Sequence, residues 1–293
     1  MNERVPMRCE GATKDQYLES CGTMGHSKNV LITGAAGGIG ALVRATLRPH
    51  CKLLRCSDIA KIEPAAANEE TASVDLRDSA SLEAAMEGID MIFHFGGIPL
   101  EDTWEAIRDI NIDGTYNVYE GARRQGVRRV VFASSNHVLG FRRRAEKIGI
   151  QAMPRPDSRY GVSKVFGEAL GRLYADKYGV ETISLRIGQF RPRPTNRRML
   201  SLWLSPADMG RLALSSLYAE NVHFEIVYGI SANSRAWYDN PGATKIGYVP
   251  SDNAEDFARE FLESEMREDD VEAAFQGGPF CSDEFNGDCS KIT

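Results

Sequence analysis

The feature that most constrains this chain is a glycine-rich loop set between an apolar run and a helical stretch. Residues 29–33 read Asn-Val-Leu-Ile-Thr, and Gly34-Ala-Ala-Gly37-Gly38-Ile39-Gly40 follows at once. Glycines permit a tight turn and let the backbone approach a pyrophosphate, which then rests on the N-terminus of the helix. The strand before the loop and the helix after it are the context such a motif requires.

The pattern beyond the loop supports that reading. Apolar runs at 52–57, 71–74, 91–95, 129–133, 181–187 and 224–228 read as strands. Helical stretches at 79–87, capped by Asp78, and at 104–124, 158–178, 206–218 and 253–263 alternate with them. Such alternation predicts an α/β fold, a doubly wound parallel sheet of Rossmann type. A Pro/Arg-rich stretch at 189–198 interrupts it and opens a small C-terminal substrate-binding part. The expected organisation is a flexible extension at 1–28, one dehydrogenase domain at 29–265 and a disordered acidic tail at 266–293. The basic cluster at 142–144 reads as solvated surface.

Composition narrows the partners. A net charge of -6 argues against nucleic acid, whose phosphates need a basic face. No apolar run approaches the 20 or so residues that span a bilayer, and the N-terminus lacks a secretory pattern. The six cysteines form no C-x-x-C pair, so they read as reduced thiols in a cytoplasmic protein with no metal site.

Asp58 lies 18 residues beyond Gly40, at the end of the second strand. A carboxylate there accepts hydrogen bonds from ribose hydroxyls and repels an added 2′-phosphate, which predicts NAD rather than NADP. Asp75 and Leu76, after the third strand, are placed to flank the adenine, although Asp75 also reads as a cap for the next helix.

Tyr160-Gly-Val-Ser-Lys164 opens a helix, so Tyr160 and Lys164 at i and i+4 share one face. A lysine cation, together with the positive ring of the oxidised nicotinamide, lowers the phenol's pKa, and the phenolate then takes a hydroxyl proton while hydride leaves for the cofactor. Ser135, Asn136 and His137 follow the fifth strand, at the sheet edge where open α/β folds bind ligands. Ser135 is positioned to hydrogen-bond the reacting oxygen, and Asn111 to hold a water beside Lys164. His137 reads as a wall of the site and His94 as buried structure.

Together these motifs, with Asn111-Ile-Asp-Gly-Thr, resemble the extended short-chain dehydrogenase/reductases. More narrowly, Ala133-Ser-Ser-Asn-His137, Arg155-Pro-Asp-Ser-Arg-Tyr-Gly-Val-Ser-Lys164, Arg198-Met-Leu-Ser-Leu-Trp-Leu-Ser205 and Ser231-Ala-Asn-Ser-Arg-Ala-Trp-Tyr-Asp-Asn240 resemble uronate dehydrogenases. The resemblance implies oxidation of the anomeric hydroxyl of glucuronate or galacturonate to an aldarolactone by NAD. It implies a homodimer paired through the helix carrying Tyr160 and the one before the fifth strand. A bidentate guanidinium suits a sugar carboxylate, which makes Arg198 the expected clamp. Two positions depart from the family. Pro99 and Gln189 stand where those enzymes carry serines expected to touch substrate hydroxyls. Arg191 and Arg193 add positive charge, so an aldose or sugar-phosphate dehydrogenase is the alternative. A nucleotide-sugar epimerase fits the short C-terminal part poorly, and a silent NAD-binding regulator would have lost Tyr160 or Lys164.

Overall fold

The computed structural model describes residues 28–263 and 268–292. Its strands, in chain order, are β1 (Asn29–Thr33), β2 (Leu53–Asp58), β3 (Glu69–Ser73), β4 (Met91–His94), β5 (Arg129–Ser135), β6 (Glu181–Ile187), β7 (Gln189–Phe190), β8 (Trp203–Leu204) and β9 (Phe224–Gly229). Seven of them form one sheet in the order β3-β2-β1-β4-β5-β6-β9, with every neighbouring pair parallel. The two-residue strands β7 and β8 pair separately. Five longer helices cover the sheet: α1 (Gly38–Leu47), α2 (Ser79–Ala84), α3 (Gly114–Arg124), α4 (Arg159–Tyr178) and α5 (Pro206–Tyr218).

Both faces of the sheet are buried, so its strands are apolar at successive positions rather than alternately. In β1, Val30 and Ile32 pack with Val43 and Leu47 of α1 and Leu212 and Leu217 of α5. Leu31 points the other way, onto Leu82 of α2, Val118 of α3 and Leu170 of α4. Ile32 and Leu31 are fully buried, and truncating either to alanine would remove about 2–5 kcal/mol. Among the described residues, no helix is long and apolar enough to cross a membrane.

Strand order reverses between β1 and β4, which opens a crevice at the carboxyl edge of the sheet. Asp78 caps α2 as expected, its Oδ1 accepting from Ser81 N–H at 3.1 Å. The stretch 104–124 is not one α-helix. A short helical turn, Trp104–Ala106, runs into a π-helical segment, Ile107–Asp113, before α3 begins. That segment buries Asn111 against the loop after β4, as such bulges often do at functional sites.

The tail is also unlike its expectation. Residues 268–292 carry a helix at Asp270–Ala274, a helical turn at Pro279–Ser282 and a 3-10 turn at Cys289–Lys291. Phe275, Gln276 and Cys281 are buried. Composition suggested disorder because the segment is acidic, but arginines elsewhere in the fold take up its charges and carbonyls. Arg144 holds Glu268 through both guanidinium nitrogens at 2.6 and 2.7 Å. Arg143 donates to the carbonyls of Cys289 and Ile292 and covers the Phe275 ring. The cluster at 142–144 is therefore a clamp, not free surface. The proposed extension at 1–28 lies outside the described residues except for Lys28, which bonds Leu217 C=O at 2.6 Å.

Candidate active site

The glycine loop closes on itself. Gly34 takes a left-handed turn, φ 72°, and a Cβ there would lie 2.5 Å from the Gly96 nitrogen after β4. A Cβ on Gly40 would meet the Gly34 carbonyl oxygen at 2.1 Å. Helix α1 begins with no side-chain cap on Gly37 and no acid in its first turn. Its leading N–H groups are thus left to an anion, with the helix dipole favouring one. Gly37, Gly38 and Ile39 stand at this exposed or half-exposed lip.

Asp58 ends β2 with each carboxylate oxygen fixed by one backbone donor, Ala36 N–H and Ala60 N–H, both at 3.0 Å. That leaves lone pairs on both oxygens for a diol. Asp75 does not cap α2. It binds Arg77 through the guanidinium and the backbone N–H, which holds its carboxyl below the usual range. Leu76 is buried between Gly96 and Gly114, with its carbonyl held by Asn117. An uncapped helix start, a cradle too tight for any Cβ and a pinned carboxylate at the next strand end together fit a dinucleotide.

The residues expected to be catalytic gather two strands over from β1, at the end of β5. Ser158 caps α4 by accepting from Gly161 N–H, which sets Tyr160 and Lys164 in its first two turns. Ser135, at the end of β5, accepts from His137 N–H at 3.2 Å and lies close enough to Tyr160 to favour ionisation of its phenol. Lys164 lies 5.4 Å from the Tyr160 ring centroid. Burial pushes the phenol up to about 12, against the pull of Ser135, and lowers the Lys164 ammonium to about 8. Without cofactor the phenol therefore keeps its proton. Asn111 is a brace here. Its Oδ1 accepts from Ile98 N–H, and its Nδ2 donates to Ile98 C=O and Ser163 Oγ. His94 is interior, between Thr33 and Thr115, and burial drops its pKa to about 3.

Beyond Ser135 lies the substrate end. His137 Nδ1 pairs with Asp157 Oδ2 at 2.6 Å. Asn136 and Arg198 meet there. A guanidinium only donates, so the Asn136 oxygen faces it, accepting from Arg198 Nη2 at 2.9 Å while the amide nitrogen donates to Ile187 C=O at 3.2 Å. Arg198 Nη1 donates to Gln189 Oε1 at 2.8 Å and Nε to Gln276 C=O at 2.7 Å. The side chain is buried, and no carboxylate among the described residues pairs with it. Arg193 instead pairs with Glu260 at the surface, and Arg191 and Pro99 are exposed.

Several groups were not foreseen. Glu101 braces the start of α4, its carboxylate accepting from Arg159 N–H and Tyr160 N–H. The tail forms a wall: the Phe280 ring lies 4.0 Å from the His137 ring and 6.1 Å from Tyr160, centroid to centroid. Asp157 is gripped between two glycines, since a Cβ on Gly140 or Gly277 would lie 1.8 or 2.0 Å from its Oδ2. The only sequence hint was an apolar island, Phe275-Gln-Gly-Gly-Pro-Phe280, inside an acidic stretch. Among the described residues no cluster of His, Cys, Asp and Glu could hold a metal ion. The four described cysteines are free.

Residues 30–228 match the model of the NAD dependent epimerase/dehydratase family. The chain belongs to that family. Within the epimerase/dehydratase family its similarity is narrower still. A uronate dehydrogenase of Pseudomonas syringae pv. tomato is 47% identical over 253 residues, covering 86% of this chain and 92% of the relative. An L-arabinose 1-dehydrogenase (NAD(P)(+)) of Haloferax volcanii is 36% identical, covering 77% of this chain and 97% of the relative. The crystal structure of uronate dehydrogenase from Agrobacterium tumefaciens superimposes with a TM-score of 0.83 at 43% identity, covering 87% of this chain and 97% of that one. A mutant of the same enzyme complexed with NAD aligns with the same score.

Proposed function

We propose that this protein oxidises the anomeric hydroxyl of a hexuronate, glucuronate or galacturonate, to an aldarolactone with NAD. The observation that carries the reading is Arg198. Burial lowers the Arg198 pKa even with Asp157 near enough to favour its charge, at a cost of several kcal/mol, and a substrate carboxylate would supply the direct ion pair it lacks. Arg198 is linked through Asn136 to Ser135 and hence to Tyr160, so an acid held there presents its hydroxyls along the catalytic edge.

Within this reading the glycine loop and α1 hold the pyrophosphate, Asp58 the adenosine ribose, and Asp75 and Leu76 border the adenine. When bound, oxidised NAD supplies the hydride acceptor and a positive ring that favours ionised phenol. Ser135 hydrogen-bonds the reacting oxygen, and Tyr160 takes its proton as general base. Lys164, held over the Tyr160 ring, adds its charge to the phenolate's stabilisation. Asn136 and His137 bind ring hydroxyls, Asp157 fixing the imidazole so that Nε2 faces away from it. Asn111 acts through the Ile98 loop and Ser163. Of the two arginines behind the sugar-phosphate alternative, Arg193 is engaged by Glu260 and Arg191 is exposed. Exposed Tyr116 on α3, with Val162, Leu173 and Tyr178 on α4, favours a homodimer paired through those helices.

The test is NADH formation from NAD with galacturonate, glucuronate, galactose, glucose and glucose 6-phosphate in parallel, with Tyr160→Phe as control. Turnover on the uronates, lost in the control, supports the reading. Turnover confined to a neutral or phosphorylated sugar overturns it.

A further inference from the structure

We propose that Gln189 makes the pocket more selective for acids than a serine would at the same position. This rests on the reading of Arg198 as the carboxylate clamp. A guanidinium carries five N–H donors and no acceptor. Three are used in the protein: Nε on Gln276 C=O, one Nη1 hydrogen on Gln189 Oε1 and one Nη2 hydrogen on Asn136 Oδ1. One hydrogen on each terminal nitrogen has no partner among the described residues.

Gln189 sits on β7, one residue past the Gly188 that leaves β6, and is half-buried. Its amide is oriented by Arg198, because only the oxygen can face a guanidinium. The bond to Nη1 therefore commits Oε1 and leaves Nε2, a pure donor, on the other side of the same amide. The clamp thereby presents N–H groups: the remaining hydrogens of Nη1 and Nη2, and the amide of Gln189, whose oxygen is turned to Arg198. A planar carboxylate, all acceptor, satisfies such a surface. A hydroxymethyl group offers one oxygen where a carboxylate offers two, so it satisfies fewer of these N–H groups. Sites that leave polar groups unpaired reject such analogues strongly.

A serine hydroxyl would differ in kind, since it both donates and accepts and so serves an acid or an alcohol. Glutamine in its place has its oxygen turned to Arg198 and presents its N–H instead. By this argument the departure from the uronate dehydrogenase pattern narrows the substrate range to acids.

The experiment measures kcat/KM with galacturonate and with galactose at saturating NAD, for the wild type, Arg198→Met, Gln189→Glu and Gln189→Ser. NADH affinity by fluorescence and a thermal melt for each variant report folding and the cofactor site. Arg198→Met tests the clamp itself, and a fall of about 100-fold on galacturonate with galactose little changed is expected. Gln189→Glu supplies Arg198 with an internal carboxylate. It should lower galacturonate kcat/KM by a similar factor, mainly through KM, and leave galactose unaffected. Gln189→Ser should shrink the galacturonate-to-galactose ratio about tenfold, by raising activity on galactose. If both Gln189 variants keep the wild-type ratio within twofold while Arg198→Met collapses on galacturonate, the role of Gln189 is overturned and the clamp survives. If Arg198→Met turns over galacturonate normally, the clamp falls and the inference with it.

Discussion

The two walls of this site are held in different ways. The cofactor wall, from β1 to Leu76, is fixed by backbone: parallel ladders, a left-handed glycine turn and amide hydrogens on Asp58. The opposite wall, residues 268–292, adds no strand to the sheet. Beyond one short antiparallel backbone contact between 140–144 and 274–277, it is fixed by side chains reaching across from other parts of the chain, Arg144 to Glu268, Arg143 to the Cys289 and Ile292 carbonyls, and Arg159 to Glu284. Glu284 even adopts a left-handed backbone, φ 55°, unfavourable for a residue with a Cβ. A ladder gains from every residue along it, whereas a side-chain clamp depends on a few groups. Damage to the cofactor wall should therefore appear as loss of NAD binding, and damage to the tail as loss of sugar handling alone.

Where the walls meet, the largest effect is expected. Tyr160→Phe should lower kcat by about 10³-fold, with NADH affinity preserved, in a single-turnover and fluorescence comparison. Deleting residues 268–293 removes the Phe280 wall and the Gln276 carbonyl on Arg198. About 100-fold loss of galacturonate kcat/KM is expected, with NADH affinity within threefold of wild type. An equal loss of NADH binding would erase the distinction between the walls.

Lys164, between them, gives a stability signature. Its folded pKa of about 8 lies below the ordinary 10.5, so the unfolded chain binds more protons between these values. Stability from this group is present above pH 10.5 and lost as pH falls through 8. Denaturant titrations should show Lys164→Met stabilised by about 3 kcal/mol at pH 7, with the gain vanishing toward pH 10.5. A pH-independent difference would sink the assignment. On the cofactor wall, Asp58→Ala should weaken NAD about tenfold and leave galacturonate KM within twofold, while NADP becomes a better substrate. The smallest effect is expected from Glu284→Gln. It breaks the exposed ion pair to Arg159 while leaving Arg159 on Glu101, and should raise galacturonate KM about threefold without touching NADH affinity.

The same contrast explains what could be read from the sequence. β6 and α5 emerged at their observed limits because apolar periodicity is a local signal. Gly34, Gly40, Tyr160 and Lys164 were legible because their spacing is part of their chemistry. The fold of the tail was not, because an acidic segment looks soluble until its arginines are known, and these lie more than a hundred residues away. The contacts of Asn111 with the Ile98 backbone and Ser163 were not legible, since a π-helical turn leaves no local sequence signal. The ionisation of Tyr160 and Lys164 also escaped the sequence, because burial is a property of the assembled fold.

The grip of Gly140 and Gly277 on Asp157 bears on how this protein can be rebuilt from its relatives. The two glycines stand far apart in the chain, yet either one gaining a methyl group would displace the carboxylate that orients His137. A chimera whose crossover falls between them inherits half of a fitted socket from each parent. Segments 140–157 and 275–281 are best exchanged together, as one inherited unit.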